Sequence, residues 1–378
     1  MVGGHAKLTS NTEDEPVGSR RMPLVMLACL ALAVAAGYGV AATAPDFETL
    51  ALGAATQAAY GSYEGDKIFC GSPAELPECL GPAARRNLPK RLVWLGNSQL
   101  HAINQTRAGD VTAPVLLARR LRPGGVEVQA LSFPNASLAE LYLAYLLERR
   151  AHRIDVLVVP LFLDDTREGS IRDVLRDVAV DPAIRPRLQT SPAGRAILGV
   201  LPAVTETDVT LQGRSEAAIT RALEVCCGFQ TMREQARGQF SIGLYRLRNT
   251  LFGVNAQSVR PLIPAQYAFH MAALDRLLAD AAADGTRVIT YVAPLRQDVA
   301  APYIPADYAR FKAETRAVAA RQGAIWVDLD AIVPAQLWGT KDATRVGGAP
   351  EIDFMHFQGP GHAIVAASVE PYVAAALR

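Results

Sequence analysis

The sequence is short of several things. It has five cysteines in 378 residues, too few for a disulfide-built scaffold. It has no Cys-x-x-Cys pair and no clustered His/Cys spacing suited to a metal. It has almost no net charge: 38 Lys and Arg against 37 Asp and Glu leave +1. That excludes a broadly basic chain built to displace counterions from nucleic acid. Lysine is scarce, five of the 38 basic residues, which with abundant alanine reads as the codon usage of a GC-rich genome. Charged residues make up only 20% and hydrophobic ones 50%, so a disordered or fibrous chain is excluded and a core is available. No internal repeat is present. No cofactor is expected.

One long hydrophobic run is present. Leu24 to Ala44 carries no charge, and at about 1.5 Å per residue it is long enough to cross a hydrocarbon core of roughly 30 Å. Arg20 and Arg21 precede it, which favours residues 1–23 as a cytoplasmic tail and everything after 44 outside. The expectation is an uncleaved single-pass anchor in the inner membrane with an extracytoplasmic domain behind it. A cleaved signal peptide is the rival, since Ala42-Thr43-Ala44 offers small residues, but Pro45 follows the cut. Outside the cytoplasm disulfides persist. Cys70 and Cys79 can close a short loop, or either can pair with Cys226 or Cys227, and Cys29 lies in the span.

Residues 45–90 read as a juxtamembrane connector. From residue 91 apolar runs alternate with helical periodicity. Strands are expected near 92, 127, 156, 288 and 326. Helices are expected over 111–121, 138–150, 265–284, 306–322 and 362–377, with Ser137 and Glu140 as a capping box. Residues 164–262 break this rhythm as a largely helical insertion. About five mainly parallel strands with helical crossovers imply an α/β fold, a three-layer sandwich. In such sheets the site lies beyond the carboxyl ends of the strands.

Two strand ends carry chemistry. Gly96-Asn97-Ser98 follows the first strand. A serine at a tight strand-to-helix turn places its hydroxyl at the top of the sheet, although Ser98 can equally cap the following helix. Asp353-Phe354-Met355-His356 precedes the last helix. His356 can take a proton from a hydroxyl and Asp353 can orient its ring, the three-residue offset letting both side chains point one way in a turn. The bland alternative is a capped turn with a satisfied histidine.

Together these two motifs resemble the SGNH (GDSL-like) hydrolase superfamily, with a flavodoxin-like sandwich, over roughly residues 91–378. The resemblance implies Ser98 as nucleophile, His356 as base, Asp353 as its orienting acid, and the Ser98 backbone N–H as one oxyanion donor. The superfamily's remaining positions differ here. The second strand leads to Phe133-Pro134-Asn135-Ala136 and the third to Leu163-Asp164-Asp165-Thr166-Arg167. Asn135 and Arg167 are the candidates to serve the oxyanion, and Asp164 or Asp165 to hold an acceptor hydroxyl. His101 lies about one turn beyond Ser98 and is a further candidate; His362 reads as structural, and His152 and His270 as surface positions.

Anchor, exported domain and insertion resemble the branch containing the D-alanyl-lipoteichoic acid transfer protein and polysaccharide O-acetylation proteins. That implies a multi-pass membrane-bound O-acyltransferase as partner and an envelope polysaccharide or polymer as acceptor. Three readings follow: a serine acyltransferase moving an acetyl- or D-alanyl-class group, an exported esterase or deacetylase using water, or an inactive scaffold of a membrane acyltransferase or export complex.

Overall fold

Leu92, Val93, Trp94 and Leu95 are all fully buried, and successive side chains serve opposite faces of one sheet. Leu92 and Trp94 join one apolar cluster with Val156 and Val158; Val93 and Leu95 join the other with Leu157 and Val159. Burial on both faces is why these strands read as unbroken apolar runs. The computed structural model describes residues 52–71, 75, 88–201, 240 and 242–378, with seven isolated positions between 25 and 39. The chain falls into two units. One, Met1–Asp46 with Thr207–Ser241, lies almost wholly outside the described residues; the other, Phe47–Glu206 with Ile242–Arg378, carries the sheet and the site.

The strands of this second unit are β1 (Thr56–Ala58), β2 (Phe69–Cys70), β3 (Lys90–Gly96), β4 (Ala102–Asn104), β5 (Val126–Ser132), β6 (Val156–Leu161), β7 (Arg287–Val292), β8 (Ile325–Asp328), β9 (Trp338–Lys341) and β10 (Glu351–Phe357), apart from a short hairpin at 62–67. The central sheet runs β8-β7-β6-β3-β5-β2, parallel throughout. Its five longer strands stand in the flavodoxin-like order, and the chain reverses direction across the sheet between β3 and β6. The expected count of five is one short. At two residues, β2 is too brief for an alternating pattern to register. It lies in the stretch expected as a connector, and so does β1, which pairs antiparallel with β4.

The helices are α1 (Ser98–His101), α2 (Ala113–Leu121), α3 (Leu138–Ala151), α4 (Asp173–Val180), α5 (Arg185–Gln189), α6 (Pro192–Gly199), α7 (Pro264–Ala283), α8 (Pro305–Arg321) and α9 (Gly359–Ala376), together with a helical run over 242–251. Leu141 of α3, Leu274 and Leu277 of α7 and Phe311 of α8 pack on one face of the sheet. Leu117 of α2 and Val365 and Val369 of α9 pack on the other. The capping box of α3 is formed: Ser137 Oγ accepts from the Glu140 N–H and Glu140 Oε2 from the Ser137 N–H.

Within 164–262 the described residues carry α4, α5, α6 and the run over 242–251, joined by non-helical segments, while 202–239 lies outside the described residues. Most of the expected anchor at 24–44 does too; its seven described positions are helical. Among the described residues no helix is long and apolar enough to cross a membrane. Cys70 is disulfide-bonded, and Cys79, Cys226 and Cys227 lie outside the described residues.

Candidate active site

Strand β3 ends at Gly96 because the chain turns sharply there. A Cβ at Gly96 would sit 2.7 Å from Leu100 Cδ2 and 2.9 Å from Leu100 Cβ, so only glycine lets α1 fold back this closely. Asn97, not Ser98, caps α1: its Oδ1 accepts from the Gln99 N–H at 3.1 Å. The cap therefore leaves the Ser98 hydroxyl free for another partner. That partner is His356, whose Nε2 lies 3.0 Å from Ser98 Oγ.

His356 stands on β10 in an unusual stretch. Along the β9–β10 ladder Thr340 faces Ile352 and Trp338 faces Phe357, two steps on one strand against five on the other. Asp353 to His356 thus bulge out of the pairing. The expected turn exists, inside a strand. Asp353 Oδ1 accepts from the N–H groups of Met355 and His356 at 2.8 and 3.0 Å, and Oδ2 lies 3.0 Å from His356 Nδ1. Asn104 Nδ2 also donates to Asp353 Oδ2 at 3.2 Å. Burial by itself raises the Asp353 carboxyl; the charge and hydrogen bond of His356, with the two backbone N–H groups, outweigh it and hold the acid well below the usual carboxylate range. Asp353 is sealed at 1% exposure, while the His356 side chain keeps 12% and reaches the surface.

Gln99 closes the frame. Its Nε2 donates to the carbonyls of Pro294, just beyond β7, and Met355, at 2.8 and 2.6 Å. Sequence reasoning missed both Gln99 and Asn104. Beside this loop Arg260 and Lys341 lie 5.1 and 5.8 Å from the centroid of the Phe354 ring, which places two cations next to the Asp353–His356 bulge.

The structure brings Ser98, His356 and Asp353 together, sets Asp165 behind Asn97 next to Ser98, and gives the other candidates partners of their own. Asn135 is exposed in the left-handed region at φ 51°, and its carbonyl accepts from Arg172. Arg167 is held by Asp164 and by the Pro261 carbonyl, and Asp164 pairs in turn with Arg260. Asp165 is buried and accepts from Asn97 Nδ2 at 3.1 Å. His101 is fully buried, 2.8 Å from Ser132 Oγ and stacked on Tyr60. It points into the domain and is not part of the hydrogen-bonded trio.

His362 is structural: Nδ1 accepts from the Ala113 N–H, Nε2 donates to the Ala102 carbonyl, and burial pushes it down to about 3. His270, expected at the surface, is buried, because Nδ1 caps the first turn of α3 at Ala139 and Nε2 meets the Glu168 carbonyl. His152 is partly buried and pairs with Glu148.

No protein-family model matches the sequence, and no curated protein matches it significantly. Several solved structures are similar in fold. TesA is 14% identical over 76% of this chain and 99% of its own, with a TM-score of 0.37. An α/β hydrolase enzyme from the metagenome of Lake Arreo, Spain, is 13% identical over 76% of this chain and 95% of its own, at 0.39. An acetylxylan esterase from Geobacillus stearothermophilus is 11% identical over 75% of this chain and 93% of its own, at 0.37. At these scores the likenesses assign no activity.

Proposed function

We propose that the protein is a serine acyl-transfer enzyme of the cell envelope. The observation that carries this is the continuous contact Ser98 Oγ–His356 Nε2 and His356 Nδ1–Asp353 Oδ2, each 3.0 Å. These three residue types, in this order and at hydrogen-bond distance, are what nucleophilic acyl chemistry needs. Asp353, kept ionised, fixes the ring with Nδ1–H toward itself and leaves Nε2 as acceptor for the Ser98 proton. Ser98 Oγ then attacks an acyl carbonyl, the Ser98 backbone N–H serves the oxyanion, and His356 returns the proton to the leaving group. A hydroxyl of an envelope polysaccharide or polymer, deprotonated by His356, attacks the acyl-serine and releases free Ser98.

The charge-free stretch 24–44 and the disulfide at Cys70 support an anchored domain in an oxidising compartment. In this reading a multi-pass membrane acyltransferase supplies the acyl group, and the anchor holds Ser98 near that donor. Hydrolysis, with water as acceptor, is the second reading, since the same trio serves it equally. The formed trio weighs against an inactive scaffold.

The test is labelling of the full chain by a fluorophosphonate probe, followed by turnover of an acetyl ester with water alone or with an added polysaccharide acceptor. Labelling lost in Ser98→Ala, with the fold retained by circular dichroism, is expected. Unchanged labelling in that variant refutes the mechanism. Acceptor-dependent product favours transfer; release to water at the same rate without acceptor favours hydrolysis.

A further inference from the structure

Asp165 follows β6, at the point where the sheet reverses direction, and is only 4% exposed. Its Oδ1 accepts from Asn97 Nδ2 at 3.1 Å. Its Oδ2 is buried without a hydrogen-bond partner among the described residues. No Lys, Arg or His among the described residues lies within ion-pair distance of it. Arg167 on its own turn and Arg260 from the segment before α7 are both engaged by Asp164.

The groups that face Asp165 are acidic or neutral. On its own turn Asp164 is negative, and Glu140 at the start of α3 adds a second negative charge, itself paired with Arg172. From β7 comes the Tyr291 phenol, which accepts from Trp94 Nε1, and from the segment before α8 the buried Tyr303 hydroxyl, which has no hydrogen-bond partner among the described residues. An ionised carboxylate in such a place has neither a counter-charge nor a full set of donors.

We propose that Asp165 serves as a neutral carboxylic acid and is a positioning residue: it holds Asn97, and through Asn97 the turn that presents Ser98. Asn97 is bonded on both sides of its amide. Nδ2 donates to Asp165, and Oδ1 caps α1 at Gln99. Moving Asp165 therefore moves the cap, the Ser98 hydroxyl and the Ser98 N–H together. Burial, opposed by the Asn97 hydrogen bond and the Phe162 backbone N–H and reinforced by Asp164 and Glu140, keeps the Asp165 carboxyl well above the usual carboxylate range. When Asp165 ionises, Asn97 Nδ2 is held more tightly, but water or a cation must reach the bare Oδ2, and the packed turn that presents Ser98 opens to admit it. The expected signature is a decline in Ser98 reactivity at high pH, where a serine activated by histidine ordinarily holds a plateau.

The activity arm rests on the serine reading above; a stability arm does not. A group raised in the folded state contributes stability that is full below its unfolded value, near 4, and is lost as pH rises toward its folded value. The isosteric Asp165→Asn keeps an acceptor for Asn97 and cannot ionise. On the full chain, the melting temperature of this variant relative to the native protein is expected to climb between pH 4.5 and pH 8. A difference that is flat or falls with pH, or a variant that does not fold, overturns the proposal.

In the second arm, fluorophosphonate labelling of Asp165→Asn is expected within about threefold of the native rate at pH 6, with the high-pH decline abolished. Asp165→Ala, which leaves Asn97 unheld, is expected to lose up to about 10²-fold in rate with little change in the probe concentration for half-saturation. A decline that persists in Asp165→Asn overturns the proposal. If the native protein is not labelled at all, the serine reading fails, and the melting series still decides the role of Asp165.

Discussion

The side-chain amide of Gln99 donates to the Met355 carbonyl at 2.6 Å, tying the residue after Ser98 to the residue before His356. The same Nε2 reaches the Pro294 carbonyl at 2.8 Å. One side chain thus sets the spacing between α1 and the Asp353–His356 bulge. Gln99→Leu strips its donor from one buried and one partly buried carbonyl, at about 1–3 kcal/mol for the buried one. It is expected to lower the unfolding midpoint and to slow Ser98 labelling about tenfold or more. Denaturant melts and labelling time courses on the same preparation check both.

Asp353→Asn keeps the shape of the acid but donates where His356 Nδ1–H must be accepted, favouring the wrong tautomer. The expected loss in acyl-transfer rate is about 10⁴-fold, the scale set by the same change in a serine protease. Stability gives an independent reading. Asp353 is depressed in the folded state, so its stabilising contribution is complete above its unfolded value near 4 and fades as pH falls below it. The native protein is expected to lose stability between pH 4 and pH 2 more steeply than Asp353→Asn. Parallel curves refute that account of Asp353.

Asn104 holds Asp353 from behind, with Nδ2 also 3.0 Å from Thr56 Oγ1 and from the Thr340 carbonyl. A Cβ at Gly339 would meet Asn104 Oδ1 at 1.9 Å. Gly339→Ala and Asn104→Ala are therefore expected to produce the same defect, a labelling rate reduced about tenfold, with the double variant little worse than either single one. Full additivity in the rates is the contrary result.

The buried Cys70 sits on the edge strand β2 and is disulfide-bonded. Reduction by dithiothreitol, or Cys70→Ser, is expected to destabilise the domain by about 2–4 kcal/mol and to loosen that edge first. Amide exchange at Phe69 and Ala130, which face each other across the β2–β5 pair, reports it. Unchanged exchange at Ala130 contradicts this expectation.

Much of the frame was legible because its signals are local. Strands β3 and β5–β8 are apolar runs, α7 and α8 are long periodic segments, and the α3 capping box announces itself in four residues. Ser98 and the Asp353–His356 pair were legible because few residue types perform that chemistry. The missed parts depend on distant pairing. Gln99 finds its partners 195 and 256 residues away, and Asn104 finds Asp353 at 249, so no local pattern reveals either. The bulge is visible only once β9 is known to pair with β10. Asn135, Arg167 and His101 were read as oxyanion or substrate candidates from position alone; the exposed left-handed backbone of Asn135, the pairing of Arg167 with Asp164 and the burial of His101 against Ser132 depend on tertiary neighbours that the local sequence does not show.

Ser98 and His356 are 258 residues apart in the chain, and their contact is made by β10. Ser98 follows β3 and His356 lies on β10, so the contact joins a segment made early in synthesis to one made much later. The Ser98–His356 contact thus requires β10 to have docked. On the proposed mechanism, a chain truncated before Glu351 carries Ser98 without His356 and is expected to be silent toward an acyl donor, so reactivity would report that β10 has joined the folded domain.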